Sequence, residues 1–239
     1  MTSAQQPTIV LVHGAGAESA SWKGVIRILQ DRGYTTIAAA NPLRSLAADA
    51  GYVASILATI EGPIVLVGHS YGGSVISNAA RGNDAVKALV FVAAFAPEHG
   101  DSALELSNRF PGSTVGDALH TVPLPDGTTD LYIRQDKYPQ LFAADVDAAQ
   151  AALDAATQRP FRDVALNDGS GPEPAWKTIP SWFVFPELDA VLPLAAHRFM
   201  AERAHAREAV EVAGASHAVA VSQPNTVADM ILSAAKQVA

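Results

Sequence analysis

The chain has no cysteine among its 239 residues. This absence excludes disulfide bonds, thiolate metal sites and a cysteine nucleophile, and it fits a reducing cytosol. The sequence also lacks an uninterrupted apolar run of about 18 residues, which a transmembrane helix needs. It does not start with a basic stretch followed by an apolar one, the pattern of a signal peptide. We therefore expect a cytoplasmic protein that does not associate with membranes.

Positive charge is scarce, because 16 Lys and Arg stand against 24 Asp and Glu, for a net charge of −8. Binding to nucleic acid or to an anionic bilayer needs clustered Lys and Arg, so neither is an expected partner. Metal-ligand spacing is missing too, and we expect no metal site. The histidines without such spacing are His99, His120, His197 and His205.

One pentapeptide carries most of the chemical information. Ser70 is the central residue of Gly68-His69-Ser70-Tyr71-Gly72, a G-x-S-x-G motif. A β-prone apolar run, 64–67, precedes it, and a helix-like run of small residues, 72–80, follows it. This strand–turn–helix context is typical of a nucleophile elbow, whose sharp turn leaves no room for a Cβ at the flanking glycines. Ser70 is therefore the predicted nucleophile.

Short apolar runs alternate with helical patterns in the first 97 residues and again after residue 177. The expected strands are Thr8–Val12, Tyr34–Ala39, Ile64–Val67, Ala88–Val92, Ser181–Phe185 and Ala209–Val212. The expected helices are Ser21–Arg32, Leu46–Ile60, the run after Ser70, Leu194–Ala204 and Asn225–Gln237. This alternation predicts an α/β fold, with a mostly parallel sheet covered by helices on both faces.

The alternation stops between residues 98 and 177, where the sequence contains several proline and glycine residues and few continuous apolar runs. One Ala-rich helix, 145–157, is expected in this segment. We interpret this segment as a small cap inserted into a core made of residues 1–97 and 178–239, all within a single domain.

A serine nucleophile needs a base, and the base needs an acid to orient it. His217 follows the last expected strand, at the edge where a parallel sheet places its active site. Asp189 follows the strand before it and is the predicted acid. Glu98 and Asp101 are rivals because they follow an earlier strand, and Glu187 is a weaker rival.

The remaining site residues come from the loop after the first strand and from the elbow. The amides of Ala15 and Tyr71 are the predicted oxyanion hole. Gly14, His13 and Trp22 are the predicted substrate-binding residues, although a structural role is an alternative for His13 and a packing role for Trp22. His69 is expected to pack inside the elbow, where it is not a second base.

These motifs together resemble the α/β-hydrolases, and within them the methylesterase and hydroxynitrile-lyase branch known from plants and bacteria. The matching segments are Val12–Ala15, Gly68–Gly73, Phe91–Pro97, Asp189–Pro193 and Gly214–His217. The resemblance implies a Ser–His–Asp triad that acts through an acyl-enzyme without metal or organic cofactor.

Two positions distinguish the reactions of that branch. Its cyanohydrin-cleaving members carry a lysine after the catalytic histidine and a threonine in the first-strand loop, whereas this chain has Ala218 and Gly14 there. Both differences favour ester hydrolysis of small carboxylic esters. The alternatives are C–C bond hydrolysis or hydroxynitrile lyase activity on the same triad, and a non-catalytic protein that binds small ligands. A homodimer is one open possibility for the oligomeric state.

Overall fold

The structure is a computed structural model that describes residues 5–238. The strands in this range are β1 (Thr8–Val12), β2 (Thr36–Ala39), β3 (Ile64–His69), β4 (Val86–Val92), β5 (Leu119–Pro123), β6 (Thr129–Ile133), β7 (Phe161–Arg162), β8 (Ser181–Pro186) and β9 (Glu208–Val212). The helices are α1 (Lys23–Asp31), α2 (Leu46–Leu57), α3 (Tyr71–Ala79), α4 (Ala103–Asn108), α5 (Tyr138–Phe142), α6 (Ala148–Thr157), α7 (Asp163–Asn167), α8 (Leu194–Arg203), α9 (Val219–Ser222) and α10 (Pro224–Val238).

The central sheet has the strand order β2-β1-β3-β4-β8-β9. Each neighbouring pair in it is parallel. The prediction of an α/β fold with a mostly parallel sheet is therefore confirmed. Because the strands are parallel, their carboxyl ends, including those of β1, β3, β8 and β9, meet at one edge and bring distant loops together.

Both faces of the sheet are buried, which explains the continuous apolar runs of its strands. In β1, Ile9 and Leu11 join one hydrophobic cluster with α1 and α10, whereas Val10 and Val12 join the other. Alternate residues of β3, β4 and β8 divide in the same way. No helix in residues 5–238 is both long enough and apolar enough to cross a membrane.

Residues 98–177 contribute no strand to the central sheet. They form α4 to α7 and a separate antiparallel sheet of order β5-β6-β7. Arg44 of the core ties this sheet down, since it donates to the Asp130 carboxylate at 2.6 Å and to the Pro160 carbonyl at 2.8 Å. The Ala-rich helix predicted in this segment corresponds to α6, whereas the three-stranded sheet was not predicted.

Candidate active site

Ser70 lies between β3 and α3 with a backbone φ of 53° and ψ of −125°. A non-glycine residue rarely adopts this conformation, and it persists only where the surroundings enforce it. The Ser70 amide donates to the Val92 carbonyl, and the Ser70 carbonyl accepts from the Phe95 amide, both at 3.2 Å. A Cβ on Gly68 would lie 2.6 Å from the Gly72 carbonyl oxygen. The turn thus has the sharp strand–turn–helix geometry that a nucleophile elbow requires.

Asp189 and His217 come together at the carboxyl ends of β8 and β9. Nδ1 of His217 donates to Oδ2 of Asp189 at 2.8 Å, and both side chains are fully buried. The other carboxylate oxygen accepts the amides of Val191 and Leu192, each at 2.9 Å. Burial raises the pKa of Asp189, but His217, His197 and their hydrogen bonds outweigh it and hold the pKa well below its usual range. Asp189 is therefore ionised and can stabilise an imidazolium.

The other imidazole nitrogen of His217 is the one that a general base would use. Nε2 is buried and has no hydrogen-bond partner among residues 5–238. His69, the neighbour of Ser70, donates from its Nε2 to the His217 carbonyl at 3.0 Å, and the two rings lie 4.9 Å apart. No hydrogen bond joins Ser70 to His217 in this part of the chain, and such bonds often tighten only when substrate binds.

The three rival acids are occupied elsewhere. Glu98 pairs with Lys177 at 2.6 Å, and Asp101 pairs with Arg203 at 2.9 Å. Glu187 accepts the amide of Gly214 at 2.9 Å. Their positions leave Asp189 as the carboxylate in contact with the candidate base.

The predicted oxyanion-hole residues flank Ser70. Tyr71 begins α3, and the first amides of a helix have no intrahelical acceptor. Its phenol points away, donating to the Asp49 carboxylate at 2.9 Å. Ala15, in the loop after β1, lines the same cavity as Ser70. This arrangement is compatible with the role predicted for both amides.

Gly14 keeps that loop in contact with the elbow. A Cβ at this position would lie 2.6 Å from Ser70 Cβ and 3.2 Å from Ser70 Oγ. We expect Gly14→Ala to displace the hydroxyl and to lower kcat about 100-fold, as misplacements near 1 Å typically do. The measurement is steady-state hydrolysis of a p-nitrophenyl ester.

The matched control for this prediction is Gly116→Ala. A Cβ on Gly116 meets nothing within 4 Å, so this variant should keep wild-type kcat. Equal activity of Gly14→Ala and Gly116→Ala would show that the close approach of the loop to Ser70 is unimportant.

His13 and Trp22 require a correction, because the structure places neither of them in the cavity at Ser70. His13 is fully buried and its Nδ1 donates to the Gly14 carbonyl at 2.9 Å; burial lowers its pKa to about 4. Trp22 is fully buried in the core, with its ring 6.2 Å from that of His69. His13 therefore supports the loop, and Trp22 packs beneath His69.

His69 behaves as predicted for a packing residue. Burial, reinforced by the neighbouring His217, lowers the pKa of His69 to about 3, so its ring is neutral. A neutral ring that donates to the His217 carbonyl holds the candidate base in place and does not compete with it.

The cavity at Ser70 has an apolar wall. Apart from Ser70 and Ser107, the side chains around it are Ala15, Phe95, Ala103, Leu104, Val115, Ile133, Phe142, Phe161, Leu166 and Val191. Most of these residues belong to segment 98–177, where sequence reasoning assigned no pocket residue. In residues 5–238 no group of three or more His, Asp or Glu is arranged to hold a metal ion.

Comparison with known proteins identifies the family of this chain. The sequence model of the alpha/beta hydrolase family matches residues 9–230, which is most of the chain. The chain belongs to the alpha/beta hydrolase family. A pyrethroid hydrolase of Sphingobium wenxiniae is 28% identical to this alpha/beta hydrolase, over 93% of this chain and 85% of that protein.

Solved structures of other hydrolases share the fold of this alpha/beta hydrolase. Polyneuridine aldehyde esterase superposes with a TM-score of 0.81 at 19% identity, covering 96% of this chain and 99% of the other. The methylesterase protein MES16 from Arabidopsis superposes with a TM-score of 0.80 at 16% identity, covering 97% and 99%. At these identities the likeness concerns the fold.

Proposed function

We propose that this alpha/beta hydrolase is a serine carboxylic ester hydrolase that cleaves neutral, apolar esters. The observation that carries the proposal is the buried His217–Asp189 pair, whose Nε2 has no hydrogen-bond partner among residues 5–238, at the same sheet edge as Ser70 on its strained turn. The similarity to a pyrethroid hydrolase over 93% of the chain supports ester hydrolysis as the reaction.

In the proposed mechanism, Ser70 attacks the ester carbonyl while His217 removes the hydroxyl proton. Asp189 stabilises the imidazolium that forms, and the amides of Ala15 and Tyr71 bind the oxyanion. His217 then gives its proton to the leaving alcohol. A water molecule, activated in the same way by His217, hydrolyses the acyl-enzyme.

The cavity wall supports the choice of substrate class. No Lys, Arg, Asp or Glu is among the residues that surround this cavity in the described part of the chain. A charged acyl group would lose its hydration there without gaining a partner. The absence of an ammonium group at this wall and the presence of Ala218 after His217 also favour ester hydrolysis over cyanohydrin cleavage.

A matched pair of substrates tests this proposal. p-Nitrophenyl heptanoate and mono-p-nitrophenyl adipate have acyl groups of similar length, but the adipate ends in a carboxylate. We expect kcat/KM for the adipate to be lower by about 100-fold or more, because an unpaired carboxylate is costly to bury. Similar values for the two esters would contradict the apolar assignment, and hydrolysis of neither would contradict ester hydrolysis.

A further inference from the structure

Asp189 serves two histidines through one oxygen. Oδ2 accepts Nδ1–H of His217 at 2.8 Å and Nε2–H of His197 at 2.9 Å. His197 lies on α8, eight residues after Asp189, and has a side-chain exposure of only 1%. The second imidazole is therefore part of the surroundings of the proposed catalytic acid.

The orientation of His197 is fixed by few contacts. Its ring stacks on Phe185 with centroids 5.2 Å apart and an interplanar angle of 6°. Nδ1 has no hydrogen-bond partner in residues 5–238, so Asp189 is the polar group that holds the ring. Burial lowers the pKa of His197 although Asp189 opposes this change, and the neutral ring has one N–H to donate.

We propose that His197 is a positioning residue. It holds the Asp189 carboxylate in place and weakens the interaction of this carboxylate with protonated His217. This inference rests on the proposed function, in which His217 is the base. A carboxylate oxygen that accepts two N–H groups shares its charge between them, so each interaction is weaker than it would be alone. Removal of the His197 donor should therefore strengthen the interaction between Asp189 and protonated His217.

Titratable groups approach this arrangement from several elements, and among them Asp145 accepts the amide and the hydroxyl of Ser216, the residue before His217. Asp189 follows β8, His197 lies on α8, and His69 at the end of β3 approaches His217 from the other side. Changes at position 197 leave His69 and its bond to the His217 carbonyl in place, which isolates the contribution of the second imidazole.

Two polar variants of similar size separate positioning from packing. In His197→Gln the side-chain amide nitrogen is as many bonds from Cα as Nε2 of the imidazole is, so it can donate to Asp189. In His197→Asn the amide is one bond shorter and cannot reach it. His197→Leu removes the donor with an apolar side chain, and it replaces the Asn variant if that one fails to unfold cooperatively.

The measurement is the pH profile of kcat/KM for p-nitrophenyl pentanoate. We expect the acid limb of His197→Asn and His197→Leu to move up by about 0.5 to 1 pH unit. We also expect kcat to fall about 10-fold. This loss is smaller than the about 10²- to 10⁴-fold that general acid–base catalysis contributes. His197→Gln should retain the wild-type limb.

Met200→Leu is the matched control on α8. Met200 is fully buried near His197 but contacts the Ala96 amide through its sulfur at 3.1 Å, and it makes no hydrogen bond with Asp189. This variant should lose stability without any change in the acid limb. A limb that stays at the wild-type position in both Asn and Leu variants, or that moves equally in the Gln variant, would overturn the inference.

A titration of the His217 imidazole by NMR gives the same answer without substrate. The midpoint should rise in the Asn and Leu variants and stay constant in the Gln variant. An unchanged midpoint would overturn the role of His197 alone, whereas failure of the wild type to hydrolyse any ester would count against the proposed function alone.

Discussion

Ser70→Ala is expected to remove essentially all hydrolysis of p-nitrophenyl pentanoate. Without the hydroxyl no acyl-enzyme can form, and losses of about 10⁴-fold or more in kcat follow removal of a serine nucleophile. The fold should survive, because Ala occupies the same volume less one oxygen and Ser70 makes no side-chain hydrogen bond in the described structure. A burst of p-nitrophenol from the wild type, absent from the variant, is the direct measurement.

Ser107→Ala is the matched control for the nucleophile. Ser107 is a second buried serine of the same cavity, and its hydroxyl donates to the Leu104 carbonyl at 2.9 Å. Its loss should leave kcat within a few-fold of wild type. Hydrolysis by Ser70→Ala at a rate comparable with Ser107→Ala would exclude the serine mechanism. The non-catalytic alternative would be favoured if the wild type did not react with a fluorophosphonate probe but was stabilised by binding a neutral ester.

Asp189→Asn should be nearly as damaging although it changes only one atom. The ionised carboxylate accepts from both His217 and His197, whereas an amide presents an NH₂ group that can only donate. If that group faces His217, Nδ1 must accept, and the proton moves to Nε2, where it blocks removal of the Ser70 proton. We expect kcat to fall about 10³- to 10⁴-fold, the loss that a wrong tautomer causes in serine hydrolases.

Glu98→Gln distinguishes Asp189 from one of its rival acids. Glu98 forms a partly exposed pair with Lys177, and such pairs contribute little to stability. The variant should keep wild-type kcat at all pH values. A large loss in Glu98→Gln together with a small one in Asp189→Asn would reverse the assignment of the acid.

The strands and the elbow were predictable because their signals are local. Continuous apolar runs mark strands that are buried on both faces, and the glycines around Ser70 mark a turn in which a Cβ would collide with backbone. The position of His217 was predictable too, since the order of strands in a parallel sheet determines which loops share an edge.

The small sheet of segment 98–177 was missed although a signal for its hairpin exists. Asp126-Gly127 lies between β5 and β6, Gly127 has a φ of 80°, and the Leu124 amide donates to the Thr128 carbonyl at 2.8 Å. Aspartate followed by glycine between β-prone runs is a strong hairpin signal. The flanking strands have only five residues each, and β5 is largely exposed, so the turn carried the clearest sequence signal for the hairpin.

The roles of Trp22 and His197 could not be read from sequence, because both depend on contacts between distant segments. Trp22 follows the predicted oxyanion loop, but its ring lies 6.2 Å from that of His69 and belongs to the hydrophobic cluster that also contains residues of α10. His197 has no metal-ligand spacing, and only the folded chain shows that α8 turns it back onto Asp189. A histidine on a helix carries no local mark of such a partner.

The cavity at Ser70 divides its wall unequally between two parts of the chain. Ala15, Ser70, Phe95 and Val191 come from the core, whereas the other eight side chains come from segment 98–177. Laboratory evolution toward new acyl groups can therefore be confined to those eight positions. Phe142 is the exception, because its ring lies 4.5 Å from that of His217. A library at the other seven positions changes the shape of the pocket and leaves the residues proposed for catalysis in place.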